Sequence, residues 1–196
     1  ATIKYMPIEK TIGQGIYSVY TIAGVSIPTT NYVADYLPLS IGLQSRTATF
    51  RLMGDYQRGS FFTTVSAAYQ KRAAITIDRN AYFTTEMVYS NEVAMPDVIN
   101  INLRTGYRSG RLIAEAILDN QVTQGGFNIT KNNMPFPSNK MNALRIGMHS
   151  KYTFPGKEAL SLVGGFNHVL DGRNVGQTNA IYAGFFYIIN FNKKTQ

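Results

Sequence analysis

The 196-residue chain has no cysteine, no tryptophan and only two histidines. Without cysteine there is no disulfide framework, no thiolate nucleophile and no cysteine-based metal site. His149 and His168 are too few to hold a metal alone, and Arg145 and Lys151 flank His149 at a spacing that repels a cation. Charge is sparse at 15%, with a net of +8, but no run of Lys and Arg concentrates it. The basic residues mostly alternate with apolar ones, which is not the footprint of a nucleic-acid binder. Long apolar runs are missing too. The most apolar segment, 180–191 (AIYAGFFYIINF), falls short of the ~18 residues of a spanning helix but suits the roughly 9–11 of a spanning β-strand. Residues 1–10 lack the basic start and apolar run of a secretory signal. The expectation is that a leader has been removed or that the chain begins inside a longer protein.

What is present is alternation. In 143–154 (ALRIGMHSKYTF), Leu144, Ile146, Met148, Tyr152 and Phe154 alternate with Ala143, Arg145, Gly147, His149, Lys151 and Thr153. A period of two marks a strand with one apolar and one polar face. The same pattern recurs at 47–57, 60–72, 98–108 and 158–170, and at 111–119 with Ile113 and Ile117 sharing the charged face. Segments 16–27 and 178–191 are aromatic-rich. Alternation alone leaves the orientation open. A soluble barrel turns its apolar face inward, whereas a membrane barrel turns it to lipid and keeps charge in the lumen.

Connection lengths favour the second arrangement. Short turns at QRG, SG and FPGK alternate with long connections at 28–45, 73–97, 122–141 and 171–177. That rhythm is the tight-turn, long-loop pattern of membrane barrels. The expected strands are 16–27, 46–56, 60–72, 98–108, 111–121, 142–153, 158–170 and 178–191, about eight. Residues 1–15 are then a periplasmic or upstream segment on the short-turn side, 16–191 the barrel and 192–196 a tail. Residues 81–90 fall in a long external loop or extended hairpin.

The expected lumen residues are Arg51, Asp55, Arg72, Arg104, Arg108, Arg111, Glu115, Arg145, His149 and Lys151. Leu144, Ile146, Met148, Phe185, Tyr187 and Ile189 are expected to face lipid. Asp55 lies four residues from Arg51, and Glu115 four from Arg111. Ion pairing on an inner wall accounts for such carboxylates better than acid–base catalysis, because nothing fixes two of them at catalytic spacing. The glycines at 164–165 and 184 mark strand bends or close packing against aromatics. No catalytic residue, cofactor or metal is expected.

The last strand places Ile181, Ala183, Phe185, Tyr187, Ile189 and Phe191 at alternate positions. A final strand ending near Phe resembles the carboxy-terminal strand of outer-membrane barrels, which implies Phe191 as a signal to the barrel-assembly machinery. GVSIPTTNY at 24–32 and GRN at 172–174 resemble the GxxxPTGxY…GRN pattern of the outer-membrane family named for the meta-pathway of phenol degradation. That resemblance implies a porin-like or transporter-like barrel, often wider than eight strands, with further strands upstream of Ala1. It implies a bacterial outer-membrane location, with lipid, lipopolysaccharide and other outer-membrane subunits as partners.

The expected fold is therefore an antiparallel up-and-down transmembrane β-barrel, and the expected function a passage or binding site for small solutes with an excess of Arg that favours anions. Two alternatives stand beside it: a non-transporting structural or docking subunit of an outer-membrane complex, and a soluble lipocalin-like binder with its apolar face inside.

Overall fold

The computed structural model describes residues 1–35, 37 and 40–189. Among these there is no helix, and the architecture is all-β. In chain order the strands are β1 (Thr2–Ile12), β2 (Gly15–Ser26), β3 (Thr47–Arg58), β4 (Phe61–Arg72), β5 (Ile75–Thr76), β6 (Tyr82–Phe83), β7 (Met87–Val88), β8 (Glu92–Val93), β9 (Asp97–Arg108), β10 (Leu112–Gln124), β11 (Asn142–Thr153), β12 (Leu160–Arg173) and β13 (Asn179–Tyr187). Nine of them form one sheet in the order β1-β2-β3-β4-β9-β10-β11-β12-β13, and each pair is antiparallel. No closed barrel forms among the described residues, so β1 and β13 are the edges of the sheet.

The sheet has nine strands where eight were expected, because Thr2–Ile12 is itself a strand hydrogen-bonded to β2. The Ala1 ammonium donates to the Val25 carbonyl at 2.8 Å. The chain therefore starts at the end of the sheet that carries the long connections, opposite to the short-turn side expected for residues 1–15. The register of β1 shifts between Tyr5 and Ile8, across Met6 and Pro7. A proline that cannot donate a ladder hydrogen bond is tolerated at such a bulge on an edge strand.

Two hairpins close through two residues, Gly13-Gln14 and Gly59-Ser60, whose glycines have φ of 61° and 59°. A glycine in the first central position supplies the left-handed backbone that matches strand twist in tight hairpins. The long connections are not featureless. Within 73–96, β5 pairs with β8 and β6 with β7, giving two small two-stranded ladders apart from the main sheet. The 81–90 stretch thus forms a short hairpin inside the connection, as expected.

Burial divides the molecule in an unusual way. The hydrophobic cluster lies among the connections: Ala34, Ile75, Ile77, Val93, Met95 and Phe136 are buried there, with Leu43, Tyr82 and Phe127 packed against them. In the main sheet, large apolar residues lie exposed on one face, including Ile181 at 83%, Phe185 at 74%, Phe61 at 70% and Met148 at 65%. Small polar residues such as Ser18, Thr64, Ser66, Asn102 and Ser161 are buried on the other face. The sheet therefore shields its polar side and leaves its apolar side open.

Candidate functional site

The polar face follows from register, because residues directly opposite one another in a ladder share a face. Thr64 on β4 lies opposite both Asp55 on β3 and Arg104 on β9, and Asp119 on β10 lies opposite both Asn102 on β9 and Arg145 on β11. The same parity carries Arg51, Arg72, Arg108, Glu115, His149 and Lys151 onto this face. Leu144, Ile146 and Met148 point the other way, as do Phe185 and Tyr187, which lie opposite Leu162 and Leu160.

Strand register fixes no face for three further expected positions. Arg111 precedes β10 and sits exposed in the turn, held by its carbonyl accepting from the Thr153 amide at 2.8 Å. Ile189 lies beyond the end of β13, 64% exposed. Phe191 lies outside the described residues.

Three ion pairs span the polar face. Arg108 Nη1 reaches Asp55 Oδ2 at 3.2 Å, Arg104 Nη1 reaches Glu115 Oε1 at 3.3 Å, and Arg145 Nη1 reaches Asp119 Oδ1 at 3.1 Å. None joins residues of one strand. Four residues along a strand cover about 13 Å, whereas adjacent strands lie about 4.8 Å apart, so Glu115 and Asp119 meet an arginine of an adjacent strand, and Asp55 one from the next strand but one, rather than one on their own strand. Asp119 is a hub: it also accepts from Asn100 Nδ2 at 2.8 Å and Asn102 Nδ2 at 3.2 Å. Asp55 is another, accepting from the Thr64 hydroxyl as well as from Arg108. The Arg108 guanidinium lies 3.9 Å from the centre of the Phe62 ring, and it donates from Nη1 to Gln57 Oε1 at 3.1 Å. Such satisfied, charge-assisted networks hold long side chains in fixed positions.

Near β13 the face changes character. Gly165 has no side chain, and a Cβ there would come within 2.4 Å of the Tyr182 hydroxyl oxygen. The bare position lets Tyr182 cross β12 and hydrogen-bond His149 Nδ1 at 2.7 Å. Here the expectation that Gly165 packs against an aromatic is met. Lys151 Nζ lies 4.7 Å from the centre of the Phe186 ring. Arg51, Arg72 and Lys151 have no carboxylate within ion-pairing distance among the described residues. His168 belongs to the apolar face, opposite Ile146, and its Nδ1 hydrogen-bonds Asn179 Oδ1 at 2.7 Å.

A cavity of about 430 Å³ opens on the polar face, lined by Asn102, Arg104, Asp119, Arg145, Asn167 and Tyr182 among others. Its charged groups are all paired, Asp119 with Arg145 inside the lining and Arg104 with Glu115 beside it, which suits contact with polar solutes and with water. Of these residues, Asn102, Asn167 and Tyr182 carried no functional signal in the sequence. They sit on strands whose alternation fixes their face, and only the register brings them together.

The two short motifs do structural work in the connections. The Tyr32 hydroxyl accepts from the Gln44 amide at 2.7 Å. In Gly172-Arg173-Asn174, Asn174 has φ of 58°, accepts from the Ile129 amide at 3.2 Å and donates to the Lys140 carbonyl at 2.7 Å, while Arg173 Nε donates to Asn128 Oδ1 at 2.7 Å. These bonds tie the 174–178 connection to the 125–141 connection. No protein-family model matches the chain, and no curated protein matches it as a relative.

Proposed function

We propose that this chain forms wall of a bacterial outer-membrane β-barrel, with the polar face of the sheet lining a passage or binding site for small polar solutes. The observation that carries this reading is the inverted burial of the sheet: large apolar side chains exposed on one face, small polar residues buried and carboxylates covered by their arginine partners on the other. Lipid is the solvent in which such an apolar face is stable. The likeness of the motifs at 24–32 and 172–174 and of the last strand to outer-membrane barrels supports the same reading, with lipid, lipopolysaccharide and the barrel-assembly machinery as partners. A lipocalin-like binder needs its apolar face enclosed, and here that face is the open one.

The ion pairs refine the selectivity. Arg104, Arg108 and Arg145 each stand beside a carboxylate, so their fields are largely cancelled at a distance. Arg51, Arg72 and Lys151, whose side chains have no ion-pair partner among the described residues, carry the anion preference, that of Arg72 tempered by the Asp97 carboxylate at its backbone amide. Reconstitution into planar bilayers tests this. Steady conductance with anion preference is expected, and Arg51→Glu with Arg72→Glu should shift the reversal potential toward cations. Stable but silent membranes would instead favour the second reading, a non-transporting structural or docking subunit, which the mutual neutralisation of charges on the polar face also suits.

A further inference from the structure

A second cavity, of about 550 Å³, lies among the long connections and falls within the roughly 300–1,000 Å³ typical of small-molecule sites. Its frame is built. Phe136, 7% exposed, stacks on Tyr82 with ring centroids 5.2 Å apart and planes 21° apart. Asp35 accepts from Arg79 Nε at 2.8 Å, and Asn139 accepts from the Phe136 amide at 2.6 Å. The hydrophobic cluster of Ile75, Ile77, Val93 and Met95 lies beneath these residues and holds the connections together. Inside this frame, polar groups remain uncommitted. The Asp78 carboxylate and the Asn132 and Asn133 amides line the cavity without a side-chain hydrogen bond among the described residues, and Arg79 keeps both Nη groups free of the Asp35 contact. Phe83 lines the same cavity while remaining 46% exposed.

We propose that this cavity binds a neutral sugar ring, such as one hexose of an oligosaccharide. A pyranose offers an apolar C–H face and a belt of hydroxyls, each both donor and acceptor. The Phe83 ring matches the first. For the second there is a donor fork in Arg79, an acceptor in Asp78 and amides that do both in Asn132 and Asn133. An anion is disfavoured because two carboxylates, Asp35 and Asp78, face one guanidinium. A hydrocarbon is disfavoured because it would strip water from those groups and return no hydrogen bond.

The test uses the full chain folded in a detergent without a sugar headgroup. Maltose, methyl α-mannoside and methyl β-galactoside are added in turn, and saturation-transfer NMR is read from protein aromatic protons to sugar ring protons. Transfer to at least one sugar is expected, with a dissociation constant on the order of 1 mM. Phe83→Ala should weaken it by about three- to tenfold, and Asn132→Ala should weaken it as well. Both side chains are exposed, so neither change opens the buried cluster. No transfer to any of the three sugars, or transfer unchanged in both variants, overturns the proposal, as does transfer to choline with none to any sugar. The outcome is independent of conductance, which reads Arg51 and Arg72 rather than Phe83.

Discussion

Asp55 on β3 and Arg108 on β9 meet at 3.2 Å across the full width of β4, the strand that separates theirs. The guanidinium spans that gap by lying over Phe62. Side chains of this face are thus coupled across strands that share no backbone ladder. Removing one partner leaves the other half-buried and unpaired, at an expected cost of about 1–3 kcal/mol given the partial exposure of the arginine. Asp55→Asn with Arg108→Gln should cost less than the sum of the two single changes. Urea unfolding of the lipid-embedded protein checks this, and strictly additive losses would dissolve the coupling.

Spin labels scanned through 143–153 should alternate. Labels at Leu144, Ile146 and Met148 should be accessible to oxygen, and those at Arg145, His149 and Lys151 to a water-soluble nickel chelate. Protection of the first set from both reagents would mean a soluble core and would remove the membrane reading.

The connections should resist protease except at exposed tips. Tyr89 is 86% exposed, whereas Ile75, Ile77 and Val93 are buried. Chymotrypsin added to intact cells should cut after Tyr89 well before it cuts near the turn at 109–110. Cutting only after the outer membrane is permeabilised would reverse the topology.

Val93 is fully buried in the hydrophobic cluster of the connections. Val93→Ala should cost roughly 1–3 kcal/mol, the usual range for deleting buried methyl groups. The loss should be local. Hydrogen exchange should quicken across 75–95 and stay unchanged in β9 and β10. Uniform acceleration would show that the cluster supports the whole sheet.

Gly165→Ala should break the contact between Tyr182 and His149, because the added methyl would come within 2.4 Å of the Tyr182 hydroxyl oxygen and within 2.6 Å of the Met148 carbonyl oxygen, and the flexible Tyr182 side chain yields before the backbone. The His149 ring resonances should move in the NMR spectrum toward those of the Tyr182→Phe variant. Unchanged resonances would show that the ring finds another path to His149.

Much of the sheet was legible because a period of two needs no partner to be seen. Leu144 and Arg145 reveal opposite faces from their own strand alone. The ion pairs were not legible in the same way. Which arginine meets Asp119 depends on how β11 slides against β10, and the alternation within either strand leaves that register open. β1 was hidden because the irregularity at Met6 and Pro7 breaks the phase of its alternation. The cluster around Phe136 was hidden for another reason: its members come from three connections, and two-residue strands such as β5 and β8 carry no periodic signal.

The strand order carries a consequence of direction. With every neighbour antiparallel, the ninth strand of the sheet runs the same way as the first. Joining β13 directly to β1 would therefore place one parallel seam in an otherwise antiparallel wall. A wall that is antiparallel all the way round needs an odd number of additional strands between those two edges. In lipid the choice cannot be left open, because the 11 residues of β1 would expose unpaired backbone groups that hydrocarbon does not solvate. If the wall closes into a barrel, the parity of its total would record how it is sealed: an even total would mean an antiparallel seam, and an odd total a parallel one.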